Sequence, residues 1–208
     1  MNKDCCAANF ERALFRFEST VQEFQSWACY KVEVGTAKAE ELAPYELRKD
    51  KPALLLLDAE GGLLHKQQLC VDPAKFLKVI ESAKRLSDLR FKLKERHLAK
   101  RAEARDRIDE QSFDSALRIL DDLLSEREKL SGQVLTLIEE DRTKLAATAR
   151  EKLEEANRLR AENQLLESYR LYEQIEKEFA RLEELGDEAE EHRKEVGQTL
   201  RKMGVRIR

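Results

Sequence analysis

The pattern of apolar and polar positions changes character around residues 50–70, and the rest of the chain divides about that stretch. Ala53 to Asp58 is a continuous apolar run closed by an acid, which predicts a strand buried on both faces; Gly61-Gly62 turns it into a second run, Leu63 to Leu69. Upstream, Phe10, Ala13, Leu14, Phe17, Val21 and Phe24 recur at spacings of three and four, predicting an amphipathic helix over 7–26 whose pattern allows a break near Ser19. Ala28 to Val34 alternates and is rich in β-formers, so it predicts a strand, which Gly35 ends. Residues 37–47 predict a short helix with Ala39, Leu42 and Tyr45 inward, and the Lys51-Pro52 step forces the chain to be extended after it.

Asp72 as N-cap and Pro73 in the first turn open a helix whose buried stripe is Phe76, Leu77, Val79, Ile80 and Ala83. Its periodicity runs on to about Glu110. Ser112 to Leu124 then places Phe113, Ala116, Leu117 and Leu120 on one face, and a related set, Leu165, Ser168, Tyr169 and Tyr172, returns 52 residues later, with Ile175 where the first copy has Leu123. These positions resemble the second helix of a tetratricopeptide-type hairpin, without that repeat's signature glycine and with a period longer than its usual 34 residues. Leu130 and Leu137 are seven apart but the next heptad position is Lys144, which argues against a long coiled coil. Helical hairpins joined near Ser131-Gly132 and near Gly186 are expected instead.

Composition sharpens the division. All three prolines, all four cysteines and the single tryptophan lie in the first 73 residues, and the remainder of the chain is dominated by Glu, Lys, Arg, Leu and Ala. Two regions are expected, 1–85 and 86–208. A net charge of −3 implies no bulk attraction to nucleic acid or anionic lipid. No run is long and apolar enough to cross a bilayer and no apolar signal core follows the start, so a cytoplasmic location and no membrane association are expected.

The first region, from about Phe10 to Ala83, resembles the thioredoxin-like family. The resemblance is carried by Phe10-Glu11, by Val21 before Tyr30-Lys-Val-Glu-Val34, by Lys51-Pro52 ahead of a strand, by Asp58-Ala-Glu-Gly61, and by Val71-Asp-Pro73 leading to Phe76-Leu77. It implies an α/β fold in which Pro52 is the family's cis-proline facing a redox site. The chain departs from the family in two ways: the positions expected for the Cys-x-x-Cys pair are Asp4 and Ala7, and with Met1 as the start the first central strand is missing. That leaves a sheet with unpaired backbone unless the chain starts upstream, closes the sheet differently or borrows a strand.

Cys5 and Cys6 are the weak catalytic candidates. Thiol exchange needs a thiolate at a helix start and a resolving thiol one turn away, a geometry adjacent residues do not provide; one of them acting alone remains open. Thiols at a chain end are the plainer reading. Cys29 and Cys70 fit small buried hydrophobes, and His65, His97 and His192 fit solvated surface residues, with no constellation that implies a metal or a triad. Lys84 to Arg107 holds ten basic residues against four acidic ones, a weak nucleic-acid candidate better explained as a solvated helix face with internal ion pairs.

The sequence therefore points to an α/β thioredoxin-like domain, lacking its first central strand and its Cys-x-x-Cys motif, followed by an all-α region of antiparallel helical hairpins. The expected role is a non-catalytic scaffold that binds a protein partner or itself through the helical half, without a cofactor or metal. The alternative is a thiol-disulfide oxidoreductase or redox sensor using Cys5 or Cys6 near Pro52.

Overall fold

The computed structural model describes residues 16, 18–25, 27, 43–47, 53–68 and 73–206. Their elements are α1 (Glu18–Phe24), a 3-10 turn (Ala43–Tyr45), β1 (Ala53–Leu57), β2 (Leu63–Gln68), α2 (Pro73–Asp109), α3 (Phe113–Ser125), a second 3-10 turn (Arg127–Lys129), α4 (Gly132–Ala161), α5 (Leu165–Glu178) and α6 (Glu183–Lys202). The protein is mostly helical, with one two-stranded antiparallel sheet among the described residues. It divides into two compact units, Met1–Phe91 and Lys92–Arg208, and the boundary falls inside α2.

In the first unit, Leu56 meets Phe24, Phe76, Ile80 and Ala83 in a small core, with Leu54 and Leu64 packed against it. The run Ala53–Leu57 was expected to be buried on both faces, and this is corrected: Leu56 alone is buried, while Leu55 and Leu57 are half-buried. Side chains alternate along a strand, so one face of the hairpin meets α2 while Leu55 and Leu57 point the other way. The strand register steps between Leu56 and Leu57, where Leu56 pairs with His65 and Leu57 with Leu63, so Leu64 is the extra residue of a bulge.

Helix α1 begins at Glu18, after a turn at Arg16 and close to the Ser19 position where the pattern allows a break, and Phe24 packs on Phe76 with ring centroids 6.0 Å apart. Val21, expected to point inward, is exposed. A helix of two turns presents one stripe, and here Phe24 occupies the core position. The residues described between 37 and 47 hold only the 3-10 turn, where Tyr45 is half-buried; the strand expected over 28–34 lies outside the described residues.

The second unit is built from short-linked helices around a continuous core. Helices α2 and α4 end in the same motif, 52 residues apart. Gln111 (φ 58°) and Asn163 (φ 65°) take the left-handed conformation. After them, the N–H of Ser112 donates to the Arg107 carbonyl and the N–H of Gln164 to the Leu159 carbonyl; the N–H groups of Gln111 and Asn163 donate to Ile108 and Arg160. These six-to-one and five-to-two bonds satisfy the last free carbonyls of each helix and reverse the chain.

The next helices follow the same offset. Phe113, Ala116, Leu117, Leu120 and Leu123 of α3 are buried, as are Ser168, Tyr169, Tyr172 and Ile175 of α5, with Leu165 half-buried. One helix later the offset is 51: Val134, Ile138, Leu145 and Ala149 of α4 correspond to Leu185, Ala189, Val196 and Leu200 of α6, all buried. Helices α4 and α5 run antiparallel, since Ser168 Oγ donates to the Ala156 carbonyl at 2.9 Å while Lys152 reaches Glu178 at 2.6 Å.

One expected joint is corrected. Gly186 lies within the first turn of α6, and the chain turns earlier, over residues 179–182. A Cβ on Gly186 would sit 3.1 Å from Ala180 Cα, so this glycine marks a close approach of backbones instead of a helix stop. At the other joint, Ser131 caps α4 by accepting from the Val134 N–H, and Gly132 opens the helix.

Candidate functional site

In the first unit the polar groups converge on the hairpin turn. Asp58 Oδ1 accepts from the N–H of Gly62 at 2.7 Å and of Glu60 at 3.1 Å, and its Oδ2 accepts from Arg90 Nη1 on α2 at 2.8 Å. Burial pushes this carboxyl upward, but the Arg90 contact and the two backbone amides outweigh it and hold its pKa below the ordinary value. Tyr45 donates its hydroxyl proton to the Gly61 carbonyl, and Lys66 donates to the carbonyls of Tyr45 and Glu46. Every one of these groups serves to hold a turn. Beside the hairpin, Leu64, His65, Val79, Ser82, Ala83 and Leu86 line an open depression of about 260 Å³. The His65 imidazole there is paired with Gln67, and the other polar groups of the lining are Lys78 and Ser82, with no carboxylate among them.

In the second unit polar groups enter the core from several helices. Arg101 on α2 engages both carboxylate oxygens of Asp141 on α4. Lys152 on α4 pairs with Glu178 and lies 5.0 Å from the Phe113 ring and 5.5 Å from the Phe179 ring, which stack on each other at 5.1 Å. Arg193 on α6 meets Glu176 and the Tyr169 hydroxyl, and Tyr172 donates to Asn157. These contacts bind neighbouring helices together, and none combines a nucleophile with a base.

The histidines differ from expectation. His97, expected at the surface, is 2% exposed. His192 is half-buried, its ring 5.4 Å from that of Tyr172 and its nitrogens beside Glu188 and Glu195, and His65 is half-buried too. The reason at His97 is its place on α2: Leu93, His97 and Ala104 share the face that turns inward at the start of the second unit. Asp141 was missed for a similar reason. It occupies an apolar-period position between Ile138 and Leu145, and a lone acid in that stripe was the available signal.

The thiol candidates Cys5 and Cys6, the proposed cis-proline Pro52, and Cys29 and Cys70 all lie outside the described residues. The basic stretch Lys84 to Arg107 is helical throughout and spends several of its cations internally: Arg90 on Asp58, Lys94 on Gln133, Arg101 on Asp141 and Arg107 on Glu110. Among the described residues no group of His, Cys, Asp and Glu could hold a metal ion, and no helix is long and apolar enough to cross a membrane. Comparison with protein-family models, with curated proteins and with solved structures gives no match.

Proposed function

We propose that the chain is a non-catalytic cytoplasmic scaffold, in which a thioredoxin-like N-terminal domain carries a tetratricopeptide-like helical half that presents the binding surface for a protein partner or a second copy of the chain. The observation that carries this reading is the recurrence, 52 residues apart, of the same helix-ending turn followed by the same buried stripe. Stacked helical units of this kind bury their apolar faces on one another and repeat their polar faces side by side, which makes an extended surface for recognition. On α4 that outer face includes Glu140, Lys144 and Glu151, all exposed.

The test uses the full chain. Light scattering measures self-association, and crosslinking followed by purification measures bound partners, for the wild type and for a Glu140→Lys, Lys144→Glu, Glu151→Lys variant. Loss of association or of a partner with an unchanged melting temperature is the expected result. Identical behaviour of the variant and the wild type would remove the assigned surface. Iodoacetamide labelling separates this reading from thiol chemistry: Cys5 and Cys6 are expected to titrate near the unperturbed value of about 8.5, and a thiolate stabilised well below it would favour an oxidoreductase acting near Pro52.

A further inference from the structure

His97 is buried in the second unit, and neither Nδ1 nor Nε2 has a hydrogen-bond partner. The nearest carboxylate oxygen, Glu126 Oε2, is 4.0 Å from Nε2, beyond hydrogen-bond length. The charged groups around the ring come from each element that packs there. Helix α2 contributes Arg96 and Lys100, and the segment after α3 contributes Glu126 and Lys129, which lie 3.5 Å from each other. From α4, the acid that reaches α2 is Asp141, and Arg101 occupies both of its oxygens. The imidazole thus faces three cations and one acid that already has a lysine partner.

We propose that His97 is an acid-sensitive latch: neutral, it lets α2 seat against the segment joining α3 to α4, and protonated, it opens that seat. A buried imidazolium has to give up its hydration, and the packed interior offers no acceptor within reach for either N–H. The one carboxylate near enough to compensate is shared with Lys129, and the flanking cations repel the new charge.

Burial lowers the pKa of His97 from its ordinary 6.5; Glu126 pulls it upward, and Arg96, Lys100 and Lys129 lower it further. With the folded pKa below the unfolded one, the unfolded or opened state binds more protons. The contribution is therefore whole above about pH 6.5 and is lost as pH falls toward and through the folded pKa. A partner bound to the helical half would be released under the same conditions if it requires α2 in place.

The experiment follows the full chain from pH 7.5 to 5.0 by the His97 ring proton resonance and by amide exchange over residues 94–108, corrected for intrinsic rates. The ring is expected to titrate below 6.5, and amide opening to rise by at most about tenfold per pH unit, the limit for one proton. His97→Leu, which keeps the slot apolar, should make the opening of these amides independent of pH over this range. Glu126→Gln should move the ring titration to still lower pH, because it removes the one compensating charge, and should leave the onset of opening where the open state sets it. Titration of His97 at or above 6.5, or a ring titration in Glu126→Gln that is not lowered, would overturn the proposal whether or not His97→Leu folds; so would an acid response that survives in His97→Leu.

Discussion

Arg101 on α2 donates through Nε and Nη2 to the two oxygens of Asp141 on α4, at 2.7 and 3.0 Å, and Asp141 is only 3% exposed. The paired donors match the carboxylate's geometry, and the pair joins two helices 40 residues apart in sequence. Its removal is instructive because a buried pair and a buried single charge differ in sign. Asp141→Ala leaves the guanidinium without its partner and is expected to destabilise the protein by about 3–5 kcal/mol. Arg101→Met with Asp141→Leu replaces both charges by apolar groups and should restore most of that loss. Urea unfolding of both variants measures the difference; a double variant as unstable as the single one would mean that the pair contributes net attraction and not only charge compensation.

Asp58 is a second carboxylate under load, at the tip of the β1–β2 hairpin. Its pKa is depressed by Arg90 and by the Gly62 and Glu60 amides against the effect of burial. With the folded value below the ordinary 3.8, the stabilisation is present above that pH and is lost as pH falls through the folded value. The opening of the Gly62 amide, from exchange corrected for intrinsic rates, should stay constant down to about pH 4 and rise below it. Asp58→Ala should cost about 1–3 kcal/mol, since it takes the acceptor from the Gly62 and Glu60 N–H groups and from Arg90, and should abolish the acid step. An acid step retained in Asp58→Ala would place its origin in another carboxylate.

Gly132 and Gly186 predict opposite signs for the same substitution. Both stand near a helix start, where alanine normally gains about 0.4–1 kcal/mol by restricting the unfolded chain. Around Gly132 nothing lies within 4 Å of an added Cβ, so Gly132→Ala should stabilise. A Cβ on Gly186 would meet Ala180 Cα at 3.1 Å and the Phe179 carbonyl oxygen at 3.3 Å, both backbone atoms of the turn before α6. Backbone gives way less readily than the end of a side chain, so Gly186→Ala should destabilise. Thermal unfolding of the two single variants decides it, and equal gains would show that the α5–α6 turn relaxes freely.

Much of the helical architecture was legible because its signals are local. Pro73 and the stripe Phe76, Ile80 and Ala83 mark α2, which runs Pro73–Asp109 against an expectation of Asp72 to about Glu110. The faces of α3 and α5 were readable from Phe113 to Leu123 and from Ser168 to Ile175 for the same reason. What escaped depends on which surface each face meets. The burial of Asp141 goes with its pairing to Arg101 on α2, and that of His97 with its place beside the segment after α3, and a charged helix shows the same local pattern whether its histidine is wet or dry. Gly186 misled because glycine signals both a helix stop and a close approach, and only the position of Ala180 distinguishes them.

The matched turns after α2 and α4 give the sharpest test of the repeat. Gln111 and Asn163 occupy the same left-handed position, yet they differ in how well they tolerate it. Asn visits this region more readily than Gln because its short amide bonds locally with the backbone. Gln111→Gly should therefore stabilise, by about 1 kcal/mol less the added entropy of the unfolded chain, and Asn163→Gly should gain less. Asn163→Ala should lose stability, since alanine has neither glycine's freedom nor asparagine's amide. Urea midpoints at constant slope give all three values. If the two turns are equivalent, the order is fixed by side-chain chemistry alone. A loss on Gln111→Gly would mean that the Gln111 side chain, and not only its backbone, holds the first hairpin together.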